Sequence, residues 1–365
     1  MTSFPAARPA HRLALQINST DPAQRGAQRA EQLGDGLVRA FETYQRFFTL
    51  GGISETQVRS MAERALEDIN TFSPALAQEI VGTAVGAGVE HWQLAALNAR
   101  TEILAASKVT GPGECSTIVR NTGGSNPRIF GAQTWDWHVE LAEFWHTQQV
   151  RGAKHNFAGI TEHGILSKIG INDAGLALHF NILGHQQDGV GGIPMHVLSA
   201  YVLQNAGSVA EAIELMRSCP IASSGSFALF DRQSTALLEI TPVGVFEVPQ
   251  LAEGLHLRTN HFLTETPKAQ EKNWLYQPDS SQRFDFLAKR LGADLPDTPE
   301  EAVASMCTAT GEPAVTCIPD MTLPMGQRWA SLATVIMDPA AGTARVLDGT
   351  PAEGQLRPWY ELGAH

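Results

Sequence analysis

The stretches Gly113-Glu114-Cys115-Ser116-Thr117 and Gln133-Thr134-Trp135-Asp136-Trp137 divide this chain into two kinds of sequence. Thr110-Gly111-Pro112-Gly113, just before them, is a strong breaker. Upstream, residues 20 to about 108 read as helical. Residues 24–50 carry Leu33, Leu37, Ala40, Phe41, Tyr44, Phe47 and Phe48 at helical spacing. Ser54-x-x-Gln57 has the form of a capping box, and Ser73-Pro74 that of a cap with a first-turn proline. Residues 91–106 form another helical run.

Downstream the pattern shortens. Strand-like runs fall at residues 116–120, 129–137, 164–171 and 176–182, separated by turn signals such as Asn172-Asp173-Ala174-Gly175. Helices are expected over 194–205 and from the Ser208 cap to Cys219. Strands follow at 226–231, 236–241 and 244–248, helices at 281–291 and 298–308, and closing strands at 331–337 and 343–347. Strands and helices come in blocks, which predicts an antiparallel-rich α+β fold rather than a doubly wound one. No flexible linker marks the break near Gly113, so residues 1–365 read as one folded unit.

A net charge of −12 argues against a nucleic-acid partner, which would need clustered Lys and Arg. Residues 1–16 lack a continuous apolar core and no window has the length of a membrane span, so the expectation is a cytoplasmic protein without a membrane partner. The cysteines Cys115, Cys219, Cys307 and Cys317 form no C-x-x-C pair, and a Cys307–Cys317 disulfide is disfavoured in that compartment. His138 and His146 flank Glu140 and Glu143, but without the four-residue spacing of a helical zinc pair, so no metal is expected.

Cys115 has no histidine close in sequence to activate it. Another route to a reactive thiol places the cysteine at a chain terminus, where its own α-amine acts as base. That amine has an ordinary pKa of roughly 7.7–8.0 against about 8.5 for the thiol. The route requires the Glu114–Cys115 bond to break. The other reading of Cys115 is a buried core cysteine.

Several ordered motifs resemble one family. They are Cys115-Ser116-Thr117, Gly131 through Trp137, Glu162 through Asn172, Asn181, Thr259-Asn260-His261-Phe262, Asp279-Ser280-Ser281-Gln282-Arg283 and Gln327-Arg328-Trp329, with an outlying match at Gln24-Arg25-Gly26. Together they resemble the isopenicillin-N acyltransferase (acyl-CoA:6-aminopenicillanic acid acyltransferase) family of self-processing N-terminal-nucleophile cysteine hydrolases. The resemblance implies a four-layer αββα sandwich. It also implies self-cleavage into chains of residues 1–114 and 115–365 that stay associated, with homo-oligomers open. Carried over by position, Cys115 is the nucleophile, Asp136 orients its amine or thiol, and Asn260 with backbone near Asn181 forms the oxyanion hole. Arg328 matches a family arginine near the nucleophile. Glu114 stands where penicillin-forming relatives have glycine, and Thr134 where relatives often have asparagine.

The implied activity is amide hydrolysis or acyl transfer on a small-molecule N-acyl amide or acyl thioester, with no cofactor beyond a coenzyme A thioester as acyl donor. The rivals are an acyl-CoA-dependent amide-forming transferase, a non-cleaving Cys-His hydrolase and an inactive sandwich. Trp135 and Trp137 are candidates for an acyl pocket, although aromatics are commonly core. Asn260 also suits a turn and Arg328 an ion pair, whereas Arg283 and Lys168 read as structural.

Overall fold

The computed structural model describes Pro9, residues 11–107 and residues 115–365. Two sheets occupy its centre. The first orders its eight strands as β1 (Ala14–Asn18), β4 (Trp145–Arg151), β5 (Phe157–Glu162), β6 (Ile169–Asn172), β7 (Ala177–Ile182), β8 (Gly225–Phe230), β9 (Thr235–Thr241) and β10 (Gly244–Val248). The second orders six as β11 (Leu255–Arg258), β2 (Cys115–Asn121), β3 (Ile129–His138), β12 (Trp329–Asp338), β13 (Thr343–Leu347) and β14 (Trp359–Gly363). Neighbours run antiparallel throughout, except that β1 lies parallel to β4.

The sheets pack face to face, β2 against β7 and β8, and β13 against β5 and β6. Side-chain alternation then sorts the strands' apolar residues into two cores. Val119 and Val335 join the large core that includes the space between the sheets. Their neighbours Ile118 and Ile336 join a smaller core with Leu287, Leu291 and Val303 on the outer side of the second sheet. That outer layer is α11 (Asp279–Ala293) and α12 (Pro299–Ser305). At Gly131 the sheets come so close that a Cβ would stand 2.4 Å from Phe230 Cζ.

On the other side, α7 (Met195–Asn205) and α8 (Val209–Ser218) cover the first sheet. The N-terminal helices extend this layer: α1 (Pro22–Leu33), α2 (Gly36–Leu50), α3 (Glu55–Phe72), α4 (Pro74–Ala87), α5 (His91–Asn98) and α6 (Arg100–Leu104). Phe72 of α3 meets Tyr201 of α7 with ring centres 4.7 Å apart, and Glu102 of α6 accepts the Met195 N–H at the start of α7 at 2.9 Å. The layers therefore run α, β, β, α, as the resemblance implies. Two short helices, α9 (Glu265–Lys268) and α10 (Asn273–Tyr276), fill the connection before α11.

Two expectations change. The run over 24–50 is two helices, because Gly34 takes φ 54° and ψ −138°, a backbone conformation open to glycine that ends α1. The strand over 164–171 shrinks to β6, because Gly164 at φ 84° turns the chain after β5.

Candidate functional site

Cys115 begins β2 and pairs in register with Trp135 of β3. Glu114 and the bond before Cys115 lie outside the described residues. The Cys115 N–H donates to Asn260 Oδ1 at 2.9 Å. Its carbonyl accepts from Asn181 Nδ2 at 2.9 Å and from Arg283 Nη1 at 3.2 Å. Three side chains from separate elements thus converge on the main chain of one residue.

Each is braced in turn. Asn181 reaches across from β7, and its Oδ1 accepts from Thr117 Oγ1 at 2.7 Å and Gln133 Nε2 at 3.3 Å. That fixes its amide nitrogen toward Cys115. Asn260 follows β11; Ser280 Oγ accepts its N–H at 2.7 Å, and its Nδ2 donates to the Ile182 carbonyl at 3.1 Å. Arg283 lies on α11, fully buried, and donates to Asn260 Oδ1 at 3.1 Å, Ser116 Oγ at 3.0 Å and Asp279 Oδ2 at 2.7 Å. The planar fork of a guanidinium can serve these directions at once, where an ammonium could not.

The Cys115 sulfur enters a small cavity lined by Arg100, Trp135, Trp137, Lys168, Phe180 and Ile182. Burial, and then the Asp136 charge, push its thiol up to about 12, with Lys168 and Arg283 opposing. A cleft of about 840 Å³, its open mouth included, adjoins the cavity and shares Trp137 and Ile182 with it. Phe47, Leu104, Leu183, Leu275 and Trp329 give this cleft apolar walls, and Asp188, Ser223, Ser224 and Lys272 add polar groups. That size and mixture suit a small molecule.

Strand alternation turns Asp136 away from Trp135 and Trp137. Its Oδ2 accepts from the Thr134 hydroxyl at 3.5 Å, while Oδ1 has no hydrogen-bond partner among the described residues. Burial raises this carboxyl to about 8, against the opposing Ser331 hydroxyl and Arg283 charge. The contact with the Cys115 sulfur, at 3.9 Å, comes from the Asp136 main-chain carbonyl.

Arg328 does not join the group. Its Nε donates to the Leu323 carbonyl at 2.5 Å and its Nη1 lies 3.7 Å from Glu140. The arginine that reaches Cys115 is Arg283. Its motif, Asp279 to Arg283, is visible in the sequence, but the direction it takes from a helix is not. Lys168 likewise stands in the cavity wall, beside Glu162 and Arg100. His138 stacks on Phe47 and Trp329, with ring centres 4.2 Å and 4.0 Å away, and burial lowers it to about 3. Among the described residues no group of His, Cys, Asp and Glu could hold a metal ion, and no helix is long and apolar enough to cross a membrane.

A family model described as acyl-coenzyme A:6-aminopenicillanic acid acyl-transferase matches residues 121–353. The 40 kDa form of acyl-coenzyme A:6-aminopenicillanic-acid-acyltransferase from Emericella nidulans is 31% identical over 236 residues, 64% of this chain and 64% of that protein. The chain thus matches just under two thirds of that relative's length. An N-acylethanolamine-hydrolyzing acid amidase ortholog from Caenorhabditis elegans superposes with TM-score 0.43 at 12% identity, covering 68% of this chain and 100% of the other. Penicillin V acylase from Agrobacterium tumefaciens gives TM-score 0.40 at 15% identity, with coverage of 68% and 86%.

Proposed function

This chain belongs to the acyl-coenzyme A:6-aminopenicillanic acid acyl-transferase family of enzymes, and from that membership we infer that it cuts itself before Cys115 and then carries acyl groups on the Cys115 sulfur. The observation that carries this reading is the 2.9 Å bond from the Cys115 N–H to Asn260, within a convergence on the same main chain by Asn181 and Arg283. A nucleophile that used only its side chain would have no need of such a cradle. One whose amide nitrogen becomes the catalytic amine needs its main chain fixed.

In the first step the Cys115 thiol adds to the Glu114 carbonyl carbon and the peptide nitrogen leaves, giving a thioester and a free α-amine. Water then releases the Glu114 carboxylate and restores the thiol. In turnover the α-amine takes the thiol proton, and the thiolate attacks the carbonyl of an N-acyl amide or acyl thioester. The tetrahedral oxyanion is met by Asn260 Nδ2 and main chain near Asn181. The amine or thiol leaves with the proton held by the α-amine, and an acyl-enzyme remains. Water completes hydrolysis; an incoming amine completes transfer.

Among the described residues no histidine lines the cavity beside Cys115, which supports the α-amine as base. We take amide hydrolysis as the default and acyl transfer from a coenzyme A thioester as the second reading, favoured by the relative's name. The chemistry calls on no further cofactor. Residues 1–114 stay bound after the cut, because β1 pairs with β4, Arg12 meets Asp348 at 2.9 Å and Arg100 meets Glu162 at 2.6 Å across it. The cytoplasm fits four unbridged cysteines.

Mass spectrometry of the purified protein tests the reading. Chains of residues 1–114 and 115–365 are expected, with Cys115→Ala remaining whole at 39.3 kDa. Uncut wild-type protein that turns over an acyl amide would overturn it. Incubation with an acyl-CoA and 6-aminopenicillanic acid, scored for amide against free acid, separates transfer from hydrolysis.

A further inference from the structure

The cavity that receives the Cys115 sulfur has a charged wall as well as an aromatic one. Lys168 immediately precedes β6, is 3% exposed and donates to Glu162 at 2.5 Å. Its ammonium stands 4.2 Å from the ring centre of Trp135 and 5.6 Å from that of Trp137. Those rings line the cavity with Cys115, and Trp135 is the register partner of Cys115. Glu162 is the only hydrogen-bond partner of the ammonium among the described residues. The remaining N–H bonds of Lys168 are therefore uncommitted.

Glu162 does not neutralise Lys168 alone. Arg100 holds the same carboxylate through Nη2 at 2.6 Å and Nε at 3.2 Å, and the Tyr44 hydroxyl donates to it as well. Burial would raise the Glu162 carboxyl, but Arg100 and Lys168 outweigh it and hold it ionised. Arg100 also faces the buried carboxyl of Glu102, which burial raises and which already accepts from the Ser223 hydroxyl and the Met195 N–H; at Glu162 itself two cations share one carboxylate. A buried cation that holds only a share of its counter-ion is costly. Of the other titratable groups around it, burial holds Tyr44 protonated and both His138 and His196 neutral. Arg283 adds a cation, and Asp136 projects from the far face of β3. Among the described residues that line the cavity, the one acidic group is the Cys115 thiol.

We propose that Lys168 supplies the positive charge that stabilises the Cys115 thiolate, held in place by Glu162 and Arg100. This rests on the reading of Cys115 as the nucleophile. The thiol proton goes to the α-amine of the cut chain, Lys168 keeps its own protons, and no bond to Nζ forms or breaks. Burial lowers the Lys168 ammonium, with Glu162 opposing, to about 8. The assistance is therefore complete below that value and fades as pH rises through it.

The test is the alkylation rate of Cys115 by iodoacetamide as a function of pH, read from the mass of the Cys115 peptide. An opposite charge close to an ionising group shifts its pKa by about one unit or more. K168M is expected to slow alkylation about tenfold near pH ~7. K168R should restore the rate and hold it above pH ~8, where wild type loses part of its advantage. A purely structural role would not produce that alkaline difference between Lys and Arg. Should K168M not fold, K168Q keeps a donor to Glu162 and should be slowed alike. Rates within about twofold of wild type in the neutral variants, with an unchanged pH profile, would overturn the proposal. The same spectra show whether Cys115 begins a chain. An uncut wild type defeats the self-cleavage reading, while the comparison of neutral variants with wild type still decides the role of Lys168.

Discussion

Replacing Asp136 with asparagine should change how the stability of this protein depends on pH. Asp136 is fully buried, and its carboxyl stands at about 8 against an ordinary 3.8. Between those values the folded chain keeps a proton that the unfolded chain has released. A raised carboxyl therefore contributes stability that is fully present below about pH 4 and lost as pH rises through about 8. Each unit in that window is worth about 1.4 kcal/mol. From pH ~5 to pH ~8, allowing for partial ionisation at the upper end, the loss comes to about 4 kcal/mol. An amide does not titrate, so Asp136→Asn escapes it. Buried neutral histidines such as His138, His163, His179 and His261 act in the opposite sense, adding stability as pH rises toward about 6.5. Only the difference between variant and parent isolates Asp136. Urea unfolding followed by tryptophan fluorescence provides it, in a Cys115→Ala background that keeps both proteins as one chain. The variant should gain on its parent by about 4 kcal/mol across the window. Parallel stability curves would refute a protonated Asp136.

Other residues give further tests. Asn260→Ala removes the acceptor of the Cys115 N–H and a candidate oxyanion donor, so turnover by the processed enzyme should fall about 10²–10³-fold, as steady-state kinetics would show. Arg283→Lys keeps the charge but loses the fork that reaches Cys115, Ser116 and Asn260 together, and self-cleavage should slow about 10²-fold. Arg328→Ala should leave cleavage within about threefold, since its half-buried guanidinium is engaged by the Leu323 carbonyl and Glu140 rather than by Cys115; equal losses at Arg283 and Arg328 on a gel time course would contradict the site geometry. Gly131→Ala puts a methyl group 2.4 Å from the Phe230 ring and should lower unfolding free energy by about 1–3 kcal/mol in the same urea assay.

Much of the fold can be read where local chemistry decides it. Ser54, Ser208 and Thr298 each accept an N–H three residues on, and α3, α8 and α12 begin where those caps place them. β4 could not be read this way. His146, Thr147 and Gln148 are buried, and Gln148 finds its partner in Arg29, more than a hundred residues earlier. β1 has only Leu15 and Ile17 as apolar anchors, too few for a periodicity to declare itself. The site divides in the same manner. Cys115, Asn181 and Asn260 are legible through the order of their motifs, and the structure brings them within hydrogen-bond distance. The choice between Arg283 and Arg328 depends on which way each guanidinium points, a tertiary property that motif matching does not carry. Lys168 and Glu162 are six residues apart across a turn, and only the fold supplies Arg100 to the pair.

If the chain is cut before Cys115 as proposed, the parallel pairing of β1 with β4 changes the kind of equilibrium this molecule obeys. While the chain is whole, the strand before Cys115 and the sheet after it belong to one molecule, and refolding is unimolecular. Were the bond cut as proposed, the same pairing would join two molecules, and the folded state would acquire the concentration dependence of a heterodimer. Dilution would leave a precursor's melting point where it is and lower that of the processed form. A processed enzyme that unfolds must find its other half by diffusion, so its persistence comes to rest on how slowly it opens. Under the proposed cut, the contacts made by residues before Cys115, the edge strand β1 among them, would turn a folding problem into an assembly problem.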